Sequence, residues 1–337
     1  MMDYRLTWCK QKAISSVADE MVEAIDRGRL AEFDLGAAFV SSDAWQLPLR
    51  VLDGAAVREC WHSNRVVETG QTRGIVWRHD GEILFGTVDI WSDDVATTDW
   101  SSVFEDVYTR IFRVAKRLGF PWLWRIWQYL PDINREVSGL ERYRQFNQGR
   151  KRAFSHLKMV DKGHFPAACA LGSASGQWSL SFMAGKQKPT FLENNRQISA
   201  FHYPSKYGKS RPMFARAVLI ELPQQMLLLV SGTASIVGHE SMHEGDVVAQ
   251  TRECLHNIRA LCRQAGHISS ILDWENIGFD YRVYVRHAED LSLVRAVMHE
   301  HGIDDAVVTY VQADVCRREL LVEIEAQALQ DVIQVEQ

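Results

Sequence analysis

Five residues in the second half of the chain match the metal-binding pattern of zinc proteases. His239-Glu240-Ser241-Met242-His243 carries two histidines four positions apart, with a glutamate beside the first. That chemistry requires a helix, because only there do both imidazoles reach one ion from the same face. Here a strand pattern precedes the motif and Glu244-Gly245-Asp246 follows it. The surroundings therefore predict a polar loop with a structural role and disfavour zinc binding.

A second candidate is a set of carboxylates near the C-terminus. In residues 317–326, strand alternation places one set of side chains on a single face: Glu319, Leu321, Glu323 and Glu325. Pattern alone favours an edge strand whose charged face is solvated. In the other interpretation one glutamate points into a cleft, where desolvation raises its pKa until it donates a proton near neutral pH.

Arginine and tyrosine recur in three further segments, residues 141–150, 193–204 and 214–217. Arg with Tyr on one helix turn, or Arg at the start of a strand, suits forked recognition of a small dicarboxylate. Taken singly, each of these residues is more often a surface charge. Cys316 stands beside Arg317 and Arg318, which would favour the thiolate if the charges lie close. Alone, such a thiol is more often a small buried filler.

Several function classes lose support from what the sequence lacks. It contains no glycine-rich phosphate loop and no GxSxG elbow, so kinase and α/β-hydrolase chemistry are disfavoured. The net charge of −5 gives no electrostatic case for nucleic acid or an anionic membrane as partner. The six cysteines form no CxxC pair, the N-terminus lacks the apolar core of a signal peptide, and the apolar runs are short. We therefore expect free thiols and a cytoplasmic location.

The elements that must position these groups are readable from about residue 70 onward. Before that point, only residues 16–29 predict a helix. Two β-rich stretches, residues 74–78 and 83–90, flank an Asp-Gly turn signal and predict a hairpin. Apolar residues at helical spacing then predict a helix over 103–118, and an aromatic strand follows over 122–130.

The same order of elements recurs in the second half. A predicted strand over 227–236 precedes a helix over 247–264 and a strand over 281–286. Gly86 and Gly232 are 146 positions apart, and Gly119 and Gly266 are 147 positions apart. Two landmarks that keep nearly one offset indicate an internal duplication of an α+β unit.

The repeat extends to the later elements. Predicted helices over 140–154 and 291–301 correspond, and two strands follow each of them. Aligning residues 178–184 with 320–326 places Glu323 opposite Ser181, so one copy would keep a carboxylate that the other lacks. We therefore predict an α+β fold in which each unit is a mostly antiparallel sheet with helices on one face. The predicted divisions are an N-terminal region packing on the first unit (1–70), a first unit (71–190) and a second unit (191–330).

Four segments of the chain resemble the chorismatase family. They are SGTASIVGHESMH with the nearby Gly245-Asp246, residues 193–203 leading to 214–217, residues 141–154, and residues 313–326. The segments keep the order of the family, and the first is the most specific. The resemblance runs from about residue 70 to about residue 330. It implies two tandem RidA/YjgF-like units (a chorismate-mutase-like arrangement), with a cleft near their interface.

The resemblance also implies roles for individual residues. Glu323, seven positions after Cys316, is implied to be the acid/base group. Four further residues match the positions expected to hold the carboxylates and hydroxyl of the substrate: Tyr143, Arg150, Tyr203 and Arg216. Ala234 and Cys316 match the two positions that tune the product.

The implied activity is cleavage of chorismate to pyruvate and 3- and/or 4-hydroxybenzoate, with neither a metal nor an organic cofactor. Cys316 favours an aromatic product, and Ala234 favours a mixture, because a strictly 3-hydroxybenzoate-forming relative is expected to carry Gly there. Three alternatives stay open: hydrolysis of chorismate to a dihydroxycyclohexadiene carboxylate, a zinc hydrolase built on the HExxH motif, and a non-catalytic or imine-deaminating RidA-like protein. We expect chorismate as the only partner of a monomer or weak homo-oligomer, without nucleic acid or membrane.

Overall fold

The N-terminal region contributes a small sheet. The computed structural model describes residues 4–12, 28–35, 44–54, 56–90, 99–160, 163–173, 178–269 and 277–332. The strands of this region are β1 (Leu6–Lys12), β2 (Arg29–Leu35), β3 (Trp45–Leu47), β4 (Arg50–Val51) and β5 (Val57–Ser63). All but β4 form one sheet in the order β1-β5-β2-β3. The helix predicted over 16–29 falls mostly outside the described residues, and its last position begins β2.

The first repeat unit is a seven-stranded sheet with two helices. Its strands run in the order β6-β7-β8-β14-β9-β12, and β13 also pairs with β9. Most neighbours are antiparallel, while β12 and β13 run parallel to β9. The elements are β6 (Glu68–Thr72), β7 (Ile75–His79), β8 (Ile83–Ile90), α1 (Trp100–Arg117), β9 (Trp122–Pro131), β10 (Glu136–Val137), β11 (Leu140–Glu141), α2 (Arg142–His156), β12 (Ala167–Ala168), β13 (Leu171–Ser173) and β14 (Trp178–Gly185).

Helix α1 shows how the sequence determines one of these elements. The Asp99 carboxylate accepts a hydrogen bond from Ser101 N and so caps the first turn. Gly119, with φ of 89°, follows the last turn in the left-handed region that glycine enters freely. Phe104 packs its ring against Trp178 of the sheet, with ring centroids 4.6 Å apart. The predicted helix over 103–118 is confirmed, and the structure adds residues at its start.

The second unit also consists of one sheet and two helices. Its sheet follows the order β15-β16-β17-β22-β20-β21, and β4 of the N-terminal region pairs with β21 at its edge. The elements are β15 (Thr190–Leu192), β16 (Ala217–Leu222), β17 (Gln225–Ala234), β18 (Ile236–Val237), β19 (Glu240–Ser241), α3 (Val247–Ile268), β20 (Asp280–Val285), α4 (Leu291–Glu300), β21 (Val308–Gln312) and β22 (Val322–Asp331).

None of the helices in the described part of the chain combines the length and the hydrophobicity needed to span a lipid bilayer.

The two sheets share one topology. In each unit a hairpin leads through a helix to a strand, then through a second helix to a parallel strand, and the last strand inserts in the middle of the sheet. The first unit therefore reads β7-β8-β14-β9-β12 and the second reads β16-β17-β22-β20-β21. This agreement confirms the predicted α+β fold of two tandem units. The boundaries at residues 70 and 190 stay predictions.

Three apolar cores hold the layers together. One lies between the first sheet and its helices, and another lies between the second sheet and its helices. The third lies between the helix-free faces of the two sheets and also includes the N-terminal sheet, which therefore contacts both units. Phe33 of β2 reaches Trp127 of the first unit, while Gln225 of the second unit hydrogen-bonds the backbone of Leu6. Side chains that face this middle layer are shielded by both units.

Candidate active site

Glu323 lies on the middle strand of the second sheet. β22 pairs with β17 on one side and with β20 on the other, and Glu323 lies opposite Ala234 and Tyr284. The apolar residues of β22 pack under the helices, so alternation turns Glu323 and Glu325 towards the middle layer. Both side chains are buried, and Glu323 is only 4% exposed. The interpretation of this segment as a solvated edge strand is therefore wrong.

A β-bulge in β17 makes room for the Glu323 carboxyl. The register with β22 shifts between Val230 and Thr233, and Gly232 lies within that shift. A Cβ atom at Gly232 would come within 1.9 Å of Glu323 Oε1 and within 2.8 Å of its Cδ. The carboxyl occupies space that any other residue at position 232 would fill.

Ser231 ties this bulge to the first unit. Its hydroxyl donates a hydrogen bond to the carbonyl of Ala215 at 2.6 Å and accepts one from the backbone N–H of Ala168 at 2.9 Å. Ala167 and Ala215 form a parallel bridge beside it. The bulge, and with it the Glu323 carboxyl, therefore lies where the two units meet.

Burial makes Glu323 a candidate proton donor. Loss of hydration has the largest effect and the negative charge of Glu325 adds to it, so that the pKa of Glu323 rises to about 8. Arg125 and Arg216 lower the same pKa, but less strongly. At neutral pH the carboxyl is therefore mostly protonated, which is the form that a general acid requires.

A network of buried charges surrounds Glu325. Its carboxylate forms a salt bridge with Arg125 of the first unit and another, at 3.1 Å, with Arg282 of β20. Arg282 also forms a salt bridge with Glu59 of the N-terminal sheet and donates a hydrogen bond to Tyr129 at 2.7 Å. The network joins the N-terminal sheet and both units close to Glu323, the proposed acid. Each charged group in it is paired with a group of opposite charge.

Arg216 enters the cleft immediately before β16. Its Nη2 donates hydrogen bonds to the Tyr203 hydroxyl at 2.7 Å and to the Ile198 carbonyl at 2.9 Å. The guanidinium carbon lies 5.1 Å from the centre of the Phe214 ring, close enough for a cation–π contact. Among the described residues, its Nε has no hydrogen-bond partner. The guanidinium therefore keeps unused donor capacity in a buried position.

Arg150 approaches from the opposite wall, on α2. It lies two helical turns after Tyr143, so both side chains share one face of the helix. Its Nη2 donates a hydrogen bond to Asn147 Oδ1 at 2.6 Å, and the guanidinium carbon lies 4.7 Å from the centre of the Phe146 ring. Burial raises the pKa of Tyr143, so its hydroxyl stays protonated and serves as a hydrogen-bond donor.

These groups surround a single cleft. The space that protein atoms leave free there amounts to about 650 Å³, part of it open to solvent. Within the described part of the chain, neither Arg150 nor Arg216 forms an ion pair with a carboxylate, although both are at least 95% buried. Buried charges normally have partners, so the cleft suits an anion. The lining includes every residue for which the sequence predicted a role: Tyr143, Arg150, Tyr203, Arg216, Ala234, Cys316 and Glu323.

Comparison with known proteins agrees with this geometry. The family described as chorismatase FkbO/Hyg5-like, N-terminal, matches residues 59–184. A 3-hydroxybenzoate synthase of Streptomyces hygroscopicus is 36% identical over 286 residues, covering 79% of this chain and 80% of that protein. The chain belongs to the chorismatase family.

Two further relatives support the assignment. A protein named chorismatase from Streptomyces hygroscopicus is 35% identical over 288 residues, covering 81% of this chain and 79% of its own length. A crystal structure of a chorismatase superposes with a TM-score of 0.82 and 29% identity, covering 97% of this chain and 99% of that one. The family predicted from the sequence is confirmed, and this chorismatase shares its overall fold with a solved member.

Cys316 is not the thiolate that its sequence neighbours suggested. Desolvation has the largest effect on its sulfur, the charge of Glu323 adds to it, and the pKa rises to about 12 despite the opposing charge of Arg317. Arg318 turns away and donates a hydrogen bond to the Asn134 carbonyl at 2.6 Å. The neighbouring guanidiniums therefore do not stabilise a thiolate, and the side chain offers the cleft a neutral thiol.

The HExxH residues of this chorismatase form a hairpin instead of a helix. β18 and β19 pair across the motif, with Glu240 opposite Val237. Glu240 is exposed and forms a salt bridge with Lys206 at 3.0 Å. This geometry does not present both imidazoles to one ion, as a zinc protease requires, and it agrees with the predicted structural role.

That hairpin positions Arg317, a cleft residue to which the sequence analysis gave no binding role. The guanidinium donates to the His239 carbonyl and to Ser241 Oγ, each at 3.0 Å. It also lies 3.9 Å from the centre of the Tyr207 ring, which lines the same cleft. Ser241 in turn donates a hydrogen bond to the Glu319 carboxylate at 2.6 Å. Glu319 precedes β22, so it does not share a strand face with Glu323.

Gly232 and Tyr207 were also missed as functional candidates. Gly232 was used only as a landmark of the repeat, although a glycine inside a strand pattern is a signal of close approach. Tyr207 lies in a short 3₁₀ helix at Ser205–Tyr207, outside the segments that carry the family resemblance. Its position in the cleft is set by tertiary contacts, including the one with Arg317, which the sequence pattern does not reveal.

A second pocket, with about 500 Å³ of free space that is partly open to solvent, is lined by Glu325. Its walls include the tryptophans Trp8, Trp61 and Trp127, together with the ion pairs that Arg125 and Arg282 form with carboxylates. Because those guanidiniums already have partners, this cavity is less suited to an anionic ligand than the cleft that contains Glu323.

Proposed function

We propose that this chorismatase removes the enolpyruvyl group of chorismate as pyruvate and releases 3- and/or 4-hydroxybenzoate. One observation carries the proposal: a protonated carboxyl shares a cleft with two buried guanidiniums that have no carboxylate partner among the described residues. Chorismate offers the complementary groups, two carboxylates and an enol ether that accepts a proton. Relatives named chorismatase and 3-hydroxybenzoate synthase support this substrate.

Binding is proposed to depend on one positive charge from each unit. Arg216 of the second unit and Arg150 of the first each take one carboxylate of the substrate. The hydroxyls of Tyr203 and Tyr143 contact the ring hydroxyl or a carboxylate. Two fixed anchors define the pose of the ring and bring the enol ether towards Glu323.

Catalysis is proposed to begin with proton transfer. The Glu323 carboxyl gives its proton to the methylene carbon of the enolpyruvyl group, which forms a methyl group and an oxocarbenium centre. The bond between ring carbon and ether oxygen then breaks, and its electron pair becomes part of the carbonyl of pyruvate. If the ring hydroxyl stays in place, the carbon that bears it loses its proton to the Glu323 carboxylate and the ring becomes 4-hydroxybenzoate. If the hydroxyl oxygen first shifts to the neighbouring carbon that lost the ether, that carbon loses its proton instead and 3-hydroxybenzoate forms. Each turnover restores the acid, and atoms balance without a redox partner.

Two small residues beside the acid are proposed to tune the product. Ala234 lies opposite Glu323 in the strand register, and Cys316 lines the same cleft. Both influence where the ring hydroxyl lies when the ether bond breaks, and hence which isomer forms. With Cys present and Ala in place of Gly, a mixture of the two hydroxybenzoates is expected.

The test is incubation of the purified protein with chorismate, a coupled assay for pyruvate, and chromatography of the aromatic products. Glu323→Gln should lower turnover by about 10²–10⁴, the usual contribution of a positioned general acid. Glu240→Gln is the matched control, because this exposed carboxylate lies outside the cleft but would be the essential base of an HExxH hydrolase.

The outcomes separate the alternatives. Equal amounts of pyruvate and hydroxybenzoate support the proposal. A dihydroxycyclohexadiene carboxylate would assign hydrolysis instead, and loss of activity in Glu240→Gln alone would favour a zinc hydrolase. If Glu323→Gln released pyruvate at the wild-type rate, the acid would have to be another group.

A further inference from the structure

Two thiols and an imidazole meet on the N-terminal sheet, away from the cleft. Cys9 of β1 lies directly opposite Cys60 of β5, and His62 lies two residues further along β5. Because side chains alternate across a strand, Cys60 and His62 share one face of the sheet, and Cys9 shares it as the cross-strand partner of Cys60. None of the three lines the cleft that contains Glu323.

The donor atoms of these residues lie within reach of one ion. Both sulfurs and a ring nitrogen of His62 lie within 4.8 Å of one another. Around a tetrahedral zinc ion, with Zn–S of about 2.3 Å and Zn–N of about 2.0 Å, neighbouring donors are roughly 3.3–3.8 Å apart. Side-chain rotations that move each donor by about 1 Å would therefore complete the coordination. Among the described residues, no other group of three or more His, Cys, Asp or Glu residues brings its donor atoms this close together.

The imidazole of this cluster has an unused ring nitrogen. His62 Nδ1 is buried and has no hydrogen-bond partner among the described residues. Glu32 of β2 lies opposite Cys60 on its other side, and salt bridges with Arg29 and with Arg58, the latter at 2.8 Å, balance its charge. The residues are also accessible, since only Cys60 is fully buried.

We propose that Cys9, Cys60 and His62 bind one thiophilic divalent metal ion, with Zn²⁺ as the best fit to two sulfurs and one imidazole. Three protein ligands leave the fourth position to water. A disulfide between the two cysteines is the competing chemistry, but it needs an oxidant and leaves the adjacent imidazole without a role. β1 is an edge strand that pairs only with β5 in the described sheet, so the ion fastens this edge to its neighbour.

The test uses the full chain, reduced and stripped of metal with a chelator. Zn²⁺ is titrated in competition with a chromophoric chelator, and Co²⁺ is titrated separately to detect a thiolate-to-cobalt charge-transfer band. We expect one ion per chain, a rise in melting temperature with Zn²⁺, and the cobalt band. Cys9→Ser and His62→Ala should weaken binding by more than the roughly 10–100-fold that loss of an outer-shell partner costs.

Two control variants make the result specific. Cys262→Ser removes a buried thiol of α3, and His239→Ala disrupts the HExxH motif, so both should bind Zn²⁺ like the wild type. Circular dichroism of Cys9→Ser and His62→Ala checks that the fold is kept, and either folded variant suffices for the test. The proposal is overturned if the reduced wild type binds no ion, if both ligand variants bind as tightly as the wild type, or if His239→Ala abolishes binding. None of these outcomes depends on the reaction with chorismate.

Discussion

Replacing Gly232 by alanine tests whether the position of the Glu323 carboxyl controls the reaction. The added Cβ would lie 1.9 Å from Glu323 Oε1, whereas ordinary contact begins near 3.4 Å, so the carboxyl must move by about 1.5 Å. A misplacement of about 1 Å in a catalytic group costs roughly 100-fold, or about 2.7 kcal/mol of transition-state stabilisation. Gly232→Ala should therefore lower kcat by at least about 100-fold. KM should change little, because neither guanidinium is among the close contacts of the added methyl.

Initial rates of pyruvate release from chorismate give both constants. Gly278→Ala is the matched control, because a Cβ there meets nothing within 4 Å and the substitution should leave kcat unchanged. In the background of Gly232→Ala, Glu323→Asp shortens the side chain by one methylene and should recover part of the lost rate, although alone it lowers it. A folded Gly232→Ala protein with wild-type kcat would refute the reasoning, as would a change confined to KM.

Four further predictions follow from the charges in the cleft and beside it. The rate of pyruvate release should fall as pH rises through about 8, because ionised Glu323 cannot donate a proton. The native pKa lies above the unfolded value of 4.5, so the contribution of Glu323 to the free energy of unfolding is fully present below about pH 4.5 and is lost progressively until about pH 8; denaturation of wild type and Glu323→Gln at low and high pH measures this. Arg216→Lys should lower kcat/KM by about 10–150-fold, since a forked charge-assisted hydrogen bond contributes about 1.5–3 kcal/mol, and steady-state kinetics measure it. Arg125→Met should cost about 3–5 kcal/mol in urea denaturation, because Glu325 loses one of its buried partners.

The repeat could be predicted because its signals are local. The Asp-Gly turn between β7 and β8, the helical spacing of α1 and the glycine that follows α1 act within a few residues of themselves. The same kinds of signal recur in the second unit, so the two halves of the sequence could be aligned with one nearly constant offset. The N-terminal strands gave no such signal, because β3 and β4 are very short and β2 is not joined to its partners β3 and β5 by a tight turn.

The environment of Glu323 could not be predicted from alternation alone. A middle strand with one face in a polar interface and an edge strand with one face in water give the same pattern of glutamates and aliphatic residues. The difference is set by β17 and β20, which flank β22 through pairings about 40 to 100 residues away. The family resemblance supplied the role of Glu323 before the structure showed its burial.

The ionisation of Cys316 also depends on the fold. Its neighbours Arg317 and Arg318 would favour a thiolate only if their charges lay close to the sulfur, but the two guanidiniums are directed to other partners. Desolvation, which depends on the first unit covering the cleft, has the larger effect on the thiol. Likewise, Gly232 became a functional candidate only when the bulge placed it against a carboxyl far along the chain.

On the middle strand of the first sheet, Ser181 faces the same layer as Glu323 and donates a hydrogen bond to Thr87 at 3.3 Å. No carboxyl stands there, yet the first unit still supplies Arg150 and Tyr143 to the cleft. The duplication has therefore left the molecule with one asymmetric chamber instead of two equivalent ones. Because each copy supplies different residues to that chamber, a rotation of one copy against the other would separate Arg150 and Tyr143 from Glu323, although each copy retains a complete sheet.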